Sequence, residues 1–320
     1  MPRETAATMF GSGTEFGSDA TFLADPIVDV TEAASLYSQI SGVLAAFAFA
    51  GLMAYLVEGD RRRPGSESDQ AERPVTVSLF LTLVSLIVVA VLYAILAGGP
   101  PDSGAGYLGI MIYGLAFALS ILSMFHAITL LAERSRGLRS VTPVFRLWTS
   151  LAGPALTVLL VSSASLDVFF KVNGKDASTV GQLWPIRPFG LGLALTGVLL
   201  LTIGLASRRV SKLKFEWPWW CPVIPAAVAA STALLAAATA VVLLMQPQSF
   251  VPSDALLIVL VSIAFLFSLS FALFSLINMP SSRTEAHSAG PPESDQEPEP
   301  DVLSAAGPDT VATQLPASVV

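Results

Sequence analysis

His126 is the side chain inside the long apolar runs of this sequence that has the widest range of chemistry. A neutral imidazole there can hydrogen-bond a neighbouring helix, relay a proton or bind a metal ion. Ser123 lies one helical turn before it, whereas the second histidine of the chain, His287, lies near the C-terminus. The apolar runs therefore offer no second histidine ligand, which excludes a haem held by two histidines. A structural hydrogen bond is the favoured interpretation of His126, and a direct functional role is the alternative.

The fourth apolar run contributes the other candidate, Asp167, close to the end of the run. Lys171 follows it by four residues, and an exposed pair at that helical spacing contributes only about 0.3–0.5 kcal/mol. The pair therefore indicates a charged helix end, with an ion or proton site as the alternative. Earlier in the same run, Pro154 predicts a kink, because proline removes a backbone donor and crowds the preceding turn.

The residue sets that catalyse reactions inside membranes are missing from these runs. Such sites need paired acids, a histidine cluster or an activated nucleophile, and the runs contain no such combination. The single cysteine, Cys221, also excludes an intrachain disulfide and any metal or iron–sulfur site built from several cysteines. We therefore expect no enzyme activity, no metal and no bound cofactor.

The composition assigns the chain to the membrane class. Of its 320 residues, 53% are hydrophobic and 13% are charged, and the mean hydropathy is +0.68; a soluble domain carries about 25% charged residues. Seven runs provide the roughly 20 apolar residues that cross a bilayer, and a helix satisfies its own backbone groups in lipid. We therefore predict an all-α fold, a polytopic transmembrane helix bundle with seven spans. The predicted spans are residues 36–57, 75–97, 107–132, 145–168, 189–206, 222–245 and 255–279.

Basic residues lie in alternate loops and so predict the orientation. Thirteen of the 17 arginine and lysine residues lie in or beside the loops that follow the first, third and fifth runs, or in the C-terminal tail. The remaining four are Arg3, Lys171, Lys175 and Arg187. Since basic loops stay in the cytoplasm, the N-terminus is predicted outside and the C-terminus inside the cell.

Two polar tails flank the spans. Residues 1–30 are rich in Gly, Ser and Thr, and residues 281–320 combine Pro, Glu and Ser, as is typical of disordered chain. The predicted organisation is a disordered extracytoplasmic tail (1–30), a seven-helix domain (31–280) and a disordered acidic cytoplasmic tail (281–320). The lipid bilayer is the predicted partner, and the acidic tail is a candidate surface for protein partners. A net charge of −7 without a basic stripe excludes nucleic acid as a partner.

Rows of small residues indicate where helices pack. In lipid, apolar area does not drive helix association, whereas small side chains let two helix backbones approach closely. Residues four apart share one face of a helix. The candidate packing residues are Ser38, Gly42, Ala46 and Ala50 in the first run and Gly192 and Gly204 in the fifth. We interpret these rows as packing faces, for helices of this chain or of a protein partner, and a polar transport path is the alternative.

Two short motifs resemble those of known seven-helix families. Glu133-Arg134 at the end of the third run, with Trp148 and a later proline in the fourth, resembles rhodopsin-like receptors. The outer loops lack the cysteine pair of that family, and the seventh run ends "FSLINMP" without its Asn-Pro-x-x-Tyr pattern. A charged cytoplasmic anchor is therefore the simpler interpretation of Glu133-Arg134. Pro247-Gln248 is similar to the motif of PQ-loop transporters, which repeat it, but here it occurs once and outside its helix.

The first run, "SLYSQISGVLAAFAFAGL" at residues 35–52, resembles uncharacterised multi-pass membrane proteins of actinobacteria. That resemblance implies no known activity. Together with the missing catalytic sets, it leads us to expect a bacterial plasma-membrane protein that is a non-enzymatic interaction or scaffold component. A transporter or channel subunit for an uncharged or lipid-like substrate is the alternative, and a seven-helix receptor or sensor is a further one.

Overall fold

The computed structural model of the protein describes residues 30–60, 68–100, 103–134, 140–173, 187–210, 220–247 and 249–277. Both predicted tails, apart from residue 30, lie outside the described residues. Helices account for nearly all of the described chain, which contains no strand. They are α1 (Val30–Asp60), α2 (Ser68–Ala97), α3 (Gly104–Arg134), α4 (Thr142–Leu147), α5 (Gly153–Asn173), α6 (Arg187–Val210), α7 (Ile224–Leu244) and α8 (Asp254–Ile277). A π-helix, Trp148–Ala152, joins α4 to α5, and a 3₁₀ turn, Cys221–Val223, precedes α7.

Seven helical stretches of the described chain are long and apolar enough to cross a membrane. The stretches, numbered as spans one to seven, are Val30–Val57, Arg73–Ala97, Gly104–Glu133, Thr142–Leu166, Pro188–Ala206, Cys221–Leu244 and Asp254–Ile277. Span four thus combines α4, the π-helix and most of α5. The predicted all-helical fold and its seven long apolar helices are confirmed for the described residues.

Contacts between distant residues show that successive spans run in opposite directions. Val30, the first residue of α1, belongs to the same buried cluster as Tyr107 near the start of α3. Gly104, the first residue of α3, lies so close to the carbonyl of Phe250 that a Cβ atom there would overlap it. At the other end of the bundle, the end of α3 contacts the start of span four and the turn before α7. The end of α8 contacts the first part of span four there as well. We call this second end the basic end, because the arginine-rich loops connect the spans there.

Span three is the centre of the bundle. In its apolar stretch 56% of the residues are buried, against 22% in span one. Leu119 and Leu122 of α3 share a buried cluster with Val261 and Phe271 of α8. Span one, by contrast, packs mainly along span two, so that much of its surface faces away from the rest of the bundle.

Aromatic rings hold span one against its neighbours away from the basic end. The ring of Tyr37 stacks on that of Tyr93 in α2, with 5.2 Å between centroids, and meets the edge of Phe117 in α3 at 5.7 Å. One residue further along α1, the hydroxyl of Ser38 donates to the carbonyl of Ala90, 2.9 Å away. These contacts fix the position of α1 at one edge of the bundle.

Span four is interrupted by a wide turn. The N–H of Gly153 donates to the carbonyl of Trp148, five residues earlier, in place of the usual four. Pro154 explains the change, because it has no N–H to donate to the carbonyl of Ser150 and its ring crowds that carbonyl. The disturbance lies where the sequence predicted a kink, and it takes the form of a π-helix.

Candidate functional site

His126 lies in α3, about two turns before the basic end, and is 3% exposed. Its Nε2 atom is 3.0 Å from the carbonyl oxygen of Pro222, in the first turn of span six. A carbonyl oxygen only accepts hydrogen bonds, so the Nε2 atom of the neutral ring carries the proton and donates it. Pro225, three residues later, has no N–H, so this carbonyl accepts no 3₁₀ bond from it.

The second ring nitrogen of His126 faces two serines. Its Nδ1 atom is 3.5 Å from the Oγ atom of Ser275 in α8, a long hydrogen bond. With the proton on Nε2, Nδ1 is an acceptor and the Ser275 hydroxyl donates to it. Ser275 Oγ in turn accepts from the hydroxyl of Ser150 in the π-helix, 3.1 Å away. The edge of the Phe271 ring approaches the imidazole with 6.3 Å between centroids.

These residues form a hydrogen-bonded chain across four spans, which we call the His126 cluster: His126, Ser150, Pro222 and Ser275. It joins span three to spans four, six and seven close to the basic end. The sequence identified His126 but neither of its partners. Pro222 contributes a backbone carbonyl, which has no side-chain signal, and Ser275 is one of several serines along span seven.

The His126 cluster contains a serine and a histidine, the two members of a nucleophile and base pair. The sequence did not predict this pair, because its members are far apart in the chain. Both side chains are buried, and the Ser275 oxygen already accepts from Ser150. The geometry is therefore that of a clamp between helices. Among the described residues no group of three His, Cys, Asp or Glu side chains is placed to hold a metal ion.

Glu133 and Arg146 form an ion pair that lies closer to the basic end than the His126 cluster. Glu133 lies seven residues after His126, and its Oε1 atom accepts from Arg146 Nε at 2.9 Å and Nη2 at 2.6 Å. Both side chains are about one-fifth exposed. Arg146 lies one turn before Ser150, so two polar contacts follow each other along the start of span four. Glu133 therefore pairs with span four, while the side chain of Arg134, the arginine of the receptor-like motif, lies outside the described part of the chain.

The small residues of α1 lie on two different faces. Gly42, Ala46 and Ala50 are exposed, and a Cβ atom on Gly42 would meet nothing within 4 Å. The structure instead buries another row of mostly small residues against span two: Ala34, Ser41, Ala45, Ala48 and Leu52. Ser38 sits between the two rows and bonds to α2. Within this chain α2 packs on the neighbouring row, and Gly42, Ala46 and Ala50 stay exposed. That this row packs against a helix of a protein partner stays a prediction.

The two predicted glycines of α6 also differ. Gly192 is buried, and a Cβ atom there would overlap the side chain of Ser162 in α5. This close approach brings α5 and α6 together as small residues allow. Gly204 is exposed, and a Cβ atom there would meet nothing within 4 Å. Asp167 lies in α5, and its side chain lies outside the described part of the chain.

Buried hydroxyls outside the His126 cluster differ in their hydrogen-bond partners. Most donate to a carbonyl of their own helix, as Thr82 does to Ser78, and Thr82 also meets Ser123 of α3 with 2.6 Å between oxygens. The hydroxyl oxygens of Ser78 and Ser268 are buried and have no hydrogen-bond partner among the described residues. A buried hydroxyl without a protein partner is expected to bind water or another polar molecule.

No protein-family model, curated protein or solved structure matches the chain. By length and composition, the seven apolar helices of the described chain are those of a multi-pass helical membrane protein.

Proposed function

We propose that this protein is a non-enzymatic interaction or scaffold component of a bacterial plasma membrane. In this role it binds a transmembrane helix of another protein molecule through the outward face of α1. It lies in the lipid bilayer, and its function there is to bind another membrane protein molecule.

The observation that supports this role is the exposed row Gly42, Ala46 and Ala50. Small residues four apart let a second helix approach the backbone closely, which is how helices associate in lipid. The bundle does not use this row, since α1 packs on α2 through its neighbouring face. The side of α1 that points away from the protein's own helices can therefore still pack closely against another helix.

The proposed orientation has the N-terminus outside and the C-terminus in the cytoplasm, from the arginines and lysines of alternate loops. The basic end then faces the cytoplasm, together with the acidic tail that begins at residue 281. Reporter fusions at each loop test this orientation. A reporter of the periplasmic side that is active in the loop at residues 135–139 would contradict it.

Site-specific photo-crosslinking in native membranes tests the interaction directly. A photoreactive residue at Ala46 should yield a protein adduct of defined mass, with a second copy of the chain or with another membrane protein. The same residue at Val198, which is exposed on α6, is the matched control and should yield lipid adducts. Lipid adducts alone at Ala46, at the same yield as at Val198, would contradict the proposal.

Transport of an uncharged substrate is the second candidate, and the hydroxyls of Ser78 and Ser268 favour it. Both oxygens are buried without a protein partner in the described chain. Uptake of a labelled neutral solute into proteoliposomes, reduced by Ser268→Ala, would support this candidate over the first. The proposed interaction role predicts no such uptake.

A further inference from the structure

The first part of span four, residues Thr142–Ala152, is attached to the bundle differently from the rest of that span. We call these residues the arm. One side of the arm is exposed, with Val144 at 68% and Leu147 at 59%. Its other side buries Thr149 and Ser150. The arm therefore lies at the surface of the bundle and contacts it along one narrow face.

Polar contacts hold the arm at two points along its length. Arg146 pairs with Glu133, and Ser150 donates to Ser275. Apolar contacts add to them: the rings of Phe145 and Phe125 stack at 6.2 Å between centroids, and Leu151 packs against the buried cluster that α5, α6 and α8 share. The part-exposed ion pair exchanges its partners readily with water or lipid headgroups. The Ser150–Ser275 hydrogen bond is buried, and its hydroxyls can find new partners only when the arm moves and exposes them.

The joint between the arm and α5 is weaker than a regular helix. Pro154 cannot donate to the carbonyl of Ser150, and the Gly153 N–H reaches back five residues to Trp148. On the α5 side of the joint, Gly153 is fixed, because a Cβ atom there would overlap the side chain of Leu122. From Gly153 onward α5 packs on α3, α6 and α8. Wide turns of this kind occur frequently at functional sites in helices, and Pro154 removes one backbone hydrogen bond at this point.

We propose that the arm is a gate that swings about its junction with α5 at Gly153, and that two contacts latch it shut: Arg146 on Glu133 and Ser150 on Ser275. Swinging out removes Ser150 from the His126 cluster. The hydroxyl of Ser275 and the ring of His126, both buried in the latched state, then face the basic end. The gate thus controls access to the buried polar groups of spans three and seven.

Distances between spin labels on the arm and on α6 test the gate. Labels at Val144→Cys and Leu205→Cys both occupy exposed positions, in a Cys221→Ala background that removes the native thiol. The latched protein should give one narrow distance distribution in nanodiscs. Glu133→Gln combined with Ser150→Ala should raise a second, displaced population by at least about fivefold, because the part-exposed ion pair alone can contribute that factor.

Two controls separate a gate from general loosening. Labels at Leu160→Cys on α5 and Leu205→Cys on α6 should keep their distance distribution in every variant. The charge exchange Glu133→Arg with Arg146→Glu, with Ser150 intact, should return the arm to the narrow distribution. An arm distribution that does not change in the unlatched variant would overturn the proposal. So would an equal change in the α5 to α6 pair.

Discussion

The His126 cluster and the outward face of α1 differ in the residues that they offer to another helix: polar groups in the cluster and small side chains on α1. At the basic end, donors and acceptors from four spans face each other, and each main contact is satisfied inside the protein. On α1, the small residues Gly42, Ala46 and Ala50 face away from the bundle. Polar groups fix the helices of one chain to each other, because lipid cannot satisfy them. Small residues add affinity only where another helix meets them, so an exposed row remains available to a partner.

Gly192→Leu should have the largest effect of the changes that test this comparison. A leucine there has no room, because even a Cβ atom would overlap Ser162. Overpacking of this kind costs about 1–3 kcal/mol, and a leucine lies at the upper end or beyond it. The melting temperature of the purified protein in detergent measures the loss. Gly197→Leu on the same helix is the control, since a Cβ atom at Gly197 meets nothing within 4 Å. Equal loss in both variants would show that glycine itself, and not packing on α5, is required.

His126→Ala should have the next largest effect. The substitution leaves the Pro222 carbonyl without its imidazole donor and removes the acceptor of Ser275. Leaving a buried polar group unpaired costs about 1–3 kcal/mol, so the melting temperature should fall while membrane insertion is kept. His126→Asn, which retains a side-chain donor, should recover part of the loss. An unchanged melting temperature together with lost adduct formation at Ala46 would assign His126 a direct functional role.

Ser275→Ala and Ser268→Ala form a matched pair on one face of α8. Ser275 bonds to both Ser150 and His126, so its removal should cost about 1 kcal/mol. Ser268 is equally buried, but its hydroxyl has no protein partner in the described chain, so its removal should be neutral or stabilising. Thermal unfolding of the two variants side by side measures the difference. A larger loss for Ser268→Ala would show that Ser268 holds a bound water or ligand that contributes to stability.

Glu133→Gln should have the smallest effect on stability. The ion pair with Arg146 is part-exposed, and such pairs contribute about 0.2–1 kcal/mol. Salt screens this contribution, so the difference between wild type and variant should shrink from about 0.01 M to about 1 M salt. Unfolding measured at both salt concentrations checks this. A difference that grows with salt would contradict a pairing of opposite charges.

The sequence identified the long apolar helices but not which of their faces meet other helices, and both results have physical reasons. Bilayer thickness sets the length of an apolar run, so the helix count and approximate bounds can be read directly. Lipid is as apolar as the protein interior, so a membrane helix carries no polar face that marks its outside. In α1 two rows of small residues could therefore form the packing face, one through Gly42 and Ala46 and one through Ala45 and Ala48. The row with the regular four-residue spacing was predicted to pack, and α2 occupies the other.

Of the residues in the His126 cluster, the sequence singled out His126 alone. His126 stands out because it is the histidine in the apolar part of span three, and the structure buries its side chain. The partners of His126 depend on which helices are neighbours and on how those helices are shifted along their axes. A single sequence determines neither the neighbours nor the shift. The wide turn at Ser150 had a signal in Pro154, four residues later. The sequence therefore indicated where span four departs from a regular helix, but not that the departure brings Ser150 to Ser275.

The yield of the protein adduct at Ala46 in a Gly42→Leu variant tests the central claim most directly. A leucine at Gly42 meets open space within the chain and is a better helix former than glycine. The proposal predicts that the melting temperature is unchanged or slightly raised and that the adduct at Ala46 is lost. Gly197→Leu, the matched exposed glycine on α6, should leave the adduct intact. An adduct of equal yield in the Gly42→Leu protein would contradict the claim that this row binds another helix.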